Sequence, residues 1–127
     1  MVNLNPTHVS SIAVIGIYVS DLQAAKAFYV DDLGLEDKGD MGPGCFLALG
    51  ETSFYLEGGR NKNHKNQKLQ DADITICFNV QSVKQAYDEI AKRDIPIAMK
   101  YTEYSPDYAV FMIADPDGNI IELTGTP

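Results

Sequence analysis

Glu122 stands in the strand-like run Asn119–Gly125, NIIELTG, directly after the turn Asp115-Pro116-Asp117-Gly118. Side chains alternate across a strand, so Ile121 and Leu123 share one face while Ile120, Glu122 and Thr124 share the other. The two apolar residues already supply a packing face. The carboxylate is therefore expected to point into a ligand cavity. Three roles are open to it there: holding a cationic or hydrogen-bond-donating ligand, acting as a general base with a burial-raised pKa, or accepting bonds from neighbouring Tyr and Thr hydroxyls. Little else in the chain carries obvious chemistry. Cys45 and Cys77 are isolated, with no CxxC or Cys/His cluster, so zinc-finger and redox motifs are absent. The two histidines, His8 and His64, fall before the first strand and in a polar linker, and both are read as exposed loop residues.

The elements that must position Glu122 follow from pattern. Ser11–Ser20 is a β-branched apolar strand, and a helix follows with Ser20 or Asp21 as its N-cap and Leu22, Ala25, Phe28, Tyr29 and Leu33 on one stripe. Gly34 ends it. Cys45–Gly50 and Thr52–Gly58 read as strands joined by a tight turn, with Gly42-Pro43-Gly44 marking the loop before them. After a polar linker the order recurs. Asp73–Val80 is a strand, Ser82–Asp94 a helix with Val83, Ala86, Tyr87 and Ile90 inward, and Ile95–Tyr101 a short edge strand, since Pro96 cannot donate to a ladder. Thr102–Tyr108 is read as a loop. Two strands around the Asp115–Gly118 turn close the chain as a hairpin.

The recurrence can be checked position by position. A shift of 61 puts Ile15 on Ile76, Ile17 on Phe78, Val19 on Val80, Leu22 on Val83 and Ala25 on Ala86. Near the ends of the halves the shift becomes 67, putting Phe54 on Ile121, Tyr55 on Glu122 and Leu56 on Leu123. The chain is thus expected to be a single α+β domain, residues 1–127, of two βαβββ repeats (about 11–58 and 73–125) that pack together. The alternation turns Ile15, Ile17, Val19, Ile76, Phe78 and Val80 toward the helices. It turns Val14, Gly16, Tyr18, Ser53, Tyr55, Glu57, Thr75, Cys77, Asn79, Ile120, Glu122 and Thr124 the other way. Aromatic rings, small hydroxyls and carboxylates mixed on one face suit a small-molecule pocket.

Charge and composition exclude several classes. The net charge of −8 argues against nucleic acid, because phosphate binding needs clustered Lys and Arg, and it favours neutral or cationic ligands. No run reaches the length of a membrane span, and no basic-then-apolar signal opens the chain, so no membrane partner and a cytoplasmic location are expected.

The stretches IYVSDLQAAKAFYVDDLGLE and DPDGNIIEL, on this repeat, resemble the signatures of the vicinal oxygen chelate superfamily, which includes glyoxalase I, bleomycin-resistance proteins and extradiol dioxygenases. The resemblance covers Ile12 to Gly125. It implies a curved, eight-stranded mixed sheet forming a cup, with the helices on its outer face. In the enzymes of that family, His and Glu side chains in the cup hold a divalent metal. Carried over by position, the ligand sites fall on Val14, Tyr55, Thr75 and Glu122, and only Glu122 is of a ligand type. The resemblance therefore implies a metal-free small-molecule binding protein of the bleomycin-resistance kind, with a divalent metal disfavoured and a homodimer expected. The residues expected to bind the ligand are Tyr18, Tyr55, Glu57, Thr75, Cys77, Asn79 and Glu122. The alternative is a lyase, isomerase or dioxygenase of the same superfamily. It would work through a rearranged metal site, or without metal, using Glu122 and Tyr55 as catalytic groups. A glutathione substrate is weakened by the chain's having only Arg60 and Arg93 to grip an anionic peptide.

Overall fold

The structure, a computed structural model, describes residues 12–59 and 75–127. The first repeat runs β1 (Ile15–Tyr18), α1 (Leu22–Lys26), β2 (Glu36–Met41), β3 (Gly44–Leu49) and β4 (Thr52–Glu57). The second runs β5 (Ile76–Val80), α2 (Val83–Ala91), β6 (Ile97–Ser105), β7 (Tyr108–Ala114) and β8 (Ile120–Gly125). Both βαβββ repeats are present. Hydrogen bonding divides their strands into two open four-stranded sheets of matching order, β1-β4-β3-β2 and β5-β8-β7-β6, rather than one continuous ladder. In each sheet the first and last strands of the repeat run parallel side by side, and the remaining pairs are antiparallel.

The helices start where side chains can cap them. Asp21, not Ser20, caps α1 by accepting from the Ala24 amide at 3.2 Å. Ser82 caps α2 by accepting from the Gln85 amide at 3.3 Å. Beyond Lys26, α1 widens into a π-helical segment, Ala27–Asp32, and the Leu33 amide reaches back to the Phe28 carbonyl at 3.0 Å. The widened turn keeps both Phe28 and Tyr29 buried. Gly34, at φ +85°, takes the left-handed conformation that ends the helix.

One core joins the repeats. Ile17, Val19, Phe54 and Leu56 of the first sheet pack with Ala25 and Phe28, and they share a buried cluster with Phe78, Phe111, Ile121 and Leu123 of the second. The Phe54 and Phe78 rings meet at 5.9 Å across the repeat boundary. Side chains of opposite parity on β1, β4, β5 and β8 therefore occupy the faces turned away from the helices, as the alternation required.

Three local expectations change. Residues 36–41, not anticipated as a strand, form β2, an exposed edge strand whose sequence EDKGDM lacks any apolar alternation. It holds by pairing with β3, and its charges protect the open edge from further pairing. Thr102–Tyr108 is not a loop. β6 continues to Ser105 and turns into β7 through Pro106-Asp107, with the Tyr104 and Tyr108 rings stacked at 6.0 Å on the tip. The first strand is shorter than its apolar run, four residues instead of the ten from Ser11 to Ser20. Among the described residues no helix is long and apolar enough to cross a membrane.

Candidate functional site

The residues singled out on the helix-free face are brought together in cross-strand rows, within each sheet. In the second sheet Cys77, Glu122, Met112 and Met99 are successive register partners across β5, β8, β7 and β6. Asn79 and Thr124 form the next row with Val110. In the first sheet Gly16, Tyr55, Phe46 and Gly39 form one row, and Tyr18, Glu57, Gly44 and Met41 the next. Apart from buried Val110 and Gly44, these rows are not packed into the core: Tyr18 is 50% exposed, Cys77 and Asn79 are exposed, and Tyr55, Glu57, Thr75 and Glu122 are half-buried. Polar groups left at intermediate burial on an aromatic surface are what a ligand face requires.

Glu122 is not idle. It is hydrogen-bonded to the Cys77 thiol beside it, and burial, then the Glu122 charge, then that hydrogen bond raise the thiol pKa above the ordinary cysteine value. A thiol held protonated is a poor nucleophile, so Cys77 is a hydrogen-bond donor at neutral pH. Replacing Glu122 by glutamine is expected to speed iodoacetamide alkylation of Cys77 at pH 8 by more than about twofold. Buried Cys45 should stay unmodified in both proteins. Equal rates, followed by mass spectrometry of the peptides, would show that Glu122 exerts no hold on the thiol.

Tyr55 is fixed in a different way. Its hydroxyl donates to the Met41 carbonyl at 2.8 Å, and its ring lies 4.9 Å from that of Phe46 at 51°. The phenol is thus spoken for, and the ring face is what it offers. Tyr18 and Glu57 sit opposite one another across β1 and β4 on the same face.

The donor set does not fit a divalent metal of the family kind. Val14, 43% exposed, ends in hydrocarbon, Thr75 offers only a neutral hydroxyl, and the Tyr55 oxygen is bonded to a main-chain carbonyl. Among the described residues no three His, Cys, Asp or Glu side chains converge as a ligand set. His8 and His64 lie outside the described residues.

Sequence reasoning passed over several residues of this face. Phe46 and Met112 could have been found by alternation from buried Cys45 and Leu47, and from Phe111 and Ile113. It also treated Asp115 and Asp117 only as turn formers. Both are buried: Asp115 accepts from the Tyr29 hydroxyl at 2.7 Å, and Asp117 accepts from the Ser20 hydroxyl at 2.7 Å and the Ser20 amide at 3.1 Å. These bonds clamp the second repeat's hairpin turn onto the first repeat's β1–α1 junction. A cleft of about 250 Å³ opens beside the clamp at the seam of the sheets, lined by Gly16, Tyr18, Ile76, Asn119 and Ile120 among others. A larger one, about 410 Å³, lies on the helix side between Phe28, Ile95–Ala98 and Pro116.

Two open sheets of this order, related as repeats, can be compared with known proteins. Residues 11–123 match the Glyoxalase/Bleomycin resistance protein/Dioxygenase superfamily. The chain belongs to that superfamily. A glyoxalase/dioxygenase of Nostoc punctiforme superposes with a TM-score of 0.78 at 22% identity, covering 100% of this chain and 98% of that one. Lactoylglutathione lyase of Agrobacterium tumefaciens gives 0.69 at 25% identity, covering 96% of each chain. TnmS3, an antibiotic binding protein from Streptomyces sp. CB03234, gives 0.69 at 21% identity, covering 94% of this chain and 97% of that one. No curated protein sequence matches the chain. A lyase and an antibiotic binding protein thus share this fold, which does not by itself choose between those roles.

Proposed function

We propose that the protein binds a small organic molecule, neutral or cationic, on the helix-free face, without a divalent metal and without transforming it. One observation carries this reading. The residues that the resemblance places at the superfamily's metal positions are Val14, Tyr55, Thr75 and Glu122, while the surface around them keeps aromatic rings, hydroxyls and carboxylates that are exposed or half-buried. One structural relative is an antibiotic binding protein, which supports a ligand-holding role on this fold. Tyr18, Tyr55, Glu57, Thr75, Cys77, Asn79 and Glu122 make the contacts, with Glu57 and Glu122 supplying negative charge. A second copy of the chain covers the open sheets, so the binding unit is a homodimer. Acid–base catalysis by Glu122 and Tyr55 is the weaker reading, because each group is already committed to a neighbour within the chain.

A thermal-shift series tests the proposal: protein with EDTA, then Ni, Zn, Mn, Fe(II) and Co, then a panel of cationic and aromatic compounds. A ligand at a hundred times its Kd adds about 2.7 kcal/mol to stability, enough for a clear rise in melting temperature. The expected result is no metal response and stabilisation by an organic compound, lost in Glu122→Ala. Stabilisation by a metal that Glu122→Ala removes would sink the metal-free reading. A flat response to the whole panel would sink binding.

A further inference from the structure

Gly16 has no conformational reason to be glycine. Its backbone φ is not positive, unlike that of Gly42 at +58°. No close approach requires it either: a Cβ at Gly44 would collide with the Leu56 carbonyl, whereas one at Gly16 meets nothing within 4 Å among the described residues. Glycine inside a strand weakens it, through lost side-chain packing and greater chain entropy in the unfolded state. What it leaves here is space. That space lies beside the Tyr55 ring, the register partner of Gly16, and it opens on its other side into the seam cleft of about 250 Å³.

The neighbouring surface is aromatic and held in place. The Phe46 and Tyr55 rings, inclined at 51°, form an aromatic corner, and the hydrogen bond from Tyr55 to the Met41 carbonyl stops the phenol ring from turning into the gap. The far end of the row is another glycine, Gly39, so within the row both ends lack a side chain. Tyr18 and Ile120 wall the cleft on the same side of the sheets. An aromatic corner of this form recognises a planar ring, which lies on the face of one ring and meets the other edge-on at van der Waals distance.

We infer that Gly16 is the specificity-determining residue of the site: the ligand carries a flat aromatic ring that lies over Gly16, in the corner made by the Tyr55 and Phe46 rings. The inference rests on the binding function proposed above and narrows it to one ligand class. Glu57, next but one to Tyr55 on β4, places a carboxylate beside the slot, so a ring bearing positive charge is favoured.

Proflavine, a planar cationic acridine, serves as the probe, with cadaverine as a flexible cation lacking a ring. Fluorescence anisotropy reads proflavine binding, calorimetry reads cadaverine, and melting temperature is recorded for every protein. Wild type is expected to bind proflavine saturably and to ignore cadaverine. Gly16→Val should weaken proflavine binding by about tenfold or more while melting no lower than wild type, because a β-branched residue suits a strand. Gly16→Ala should fall between them. Proflavine binding left unchanged in Gly16→Val would overturn the inference, and so would a fall of several degrees in melting temperature for both variants, which would mean the space is filled by the chain itself. Stabilisation of wild type by non-aromatic compounds, with no proflavine binding, would overturn the planar-ring class and leave the binding function standing. Failure of every organic compound would remove both.

Discussion

Replacing Asp115 by alanine should cost about 3–5 kcal/mol, a large share of the stability of a domain this size. The carboxylate is 2% exposed and accepts four bonds: from the Tyr29 hydroxyl at 2.7 Å, the Asn119 amide at 2.8 Å, the Asn119 side chain at 2.9 Å and the Asp117 amide at 3.0 Å. Three of those bonds shape the turn between β7 and β8. The fourth crosses 86 residues to the π-helical segment of the first repeat. Alanine strands all four donors at a site with little access to water, and unsatisfied buried groups bear the full desolvation cost. Asp115→Asn keeps the shape and one acceptor oxygen, so it should lose roughly half as much. Urea unfolding of the three proteins measures this directly. A loss below about 1 kcal/mol for alanine would mean the turn finds other partners and the clamp is not what joins the repeats.

The clamp also shows where sequence reading stops. Asp, Pro, Asp and Gly in succession announce a turn, and a turn is normally solvated, so nothing local marks Asp115 and Asp117 as buried. Their partners lie 86 and 97 residues away, at Tyr29 and Ser20, and only the packing of one repeat on the other brings them within reach. The same packing decides the cap. Ser20 and Asp21 are equally good candidates from local sequence, but the Ser20 amide and hydroxyl are both taken by Asp117, and Asp21 is left to cap the helix.

What period-2 alternation could carry, it carried. Ile17, Val19, Phe54, Leu56, Phe78, Ile121 and Leu123 all lie in the core, and Tyr18, Tyr55, Cys77 and Glu122 lie on the opposite face. Alternation is silent where a strand has no buried face. β2 is exposed along its whole length and exists because β3 offers it a ladder, which no composition of Glu36–Met41 could reveal. The tip of the β6–β7 hairpin misled for the same reason: Pro106 and the exposed Tyr104 and Tyr108 suggest a loop, while the pairing of Ser105 with Tyr108 makes it a two-residue turn.

Tyr29 should weaken the fold at high pH, and Tyr29→Phe should reduce that dependence. The ring is fully buried. Burial raises the phenol pKa well above 10, reinforced by the Asp115 charge, the hydrogen bond to it, and the charge of Asp117. A phenol with a raised pKa in the folded state keeps its proton when the unfolded chain has released its own. Its contribution to stability is therefore complete below the unfolded pKa of about 10 and declines as pH rises beyond it, by about 1.4 kcal/mol per pH unit for one proton. Tyr29→Phe loses the bond to Asp115 and should be less stable than wild type near pH 8, by about 1–3 kcal/mol. Between pH 10 and 11.5 the wild type should lose that lead, since phenylalanine has no proton to release. Unfolding curves at pH 8, 10 and 11.5 separate the two effects: a constant gap between the proteins at all three would show that the phenol titrates alike in both states. A narrowing gap would place the ionisable weak point of the fold where the two repeats are joined, at a residue that also lines the seam cleft beside Gly16.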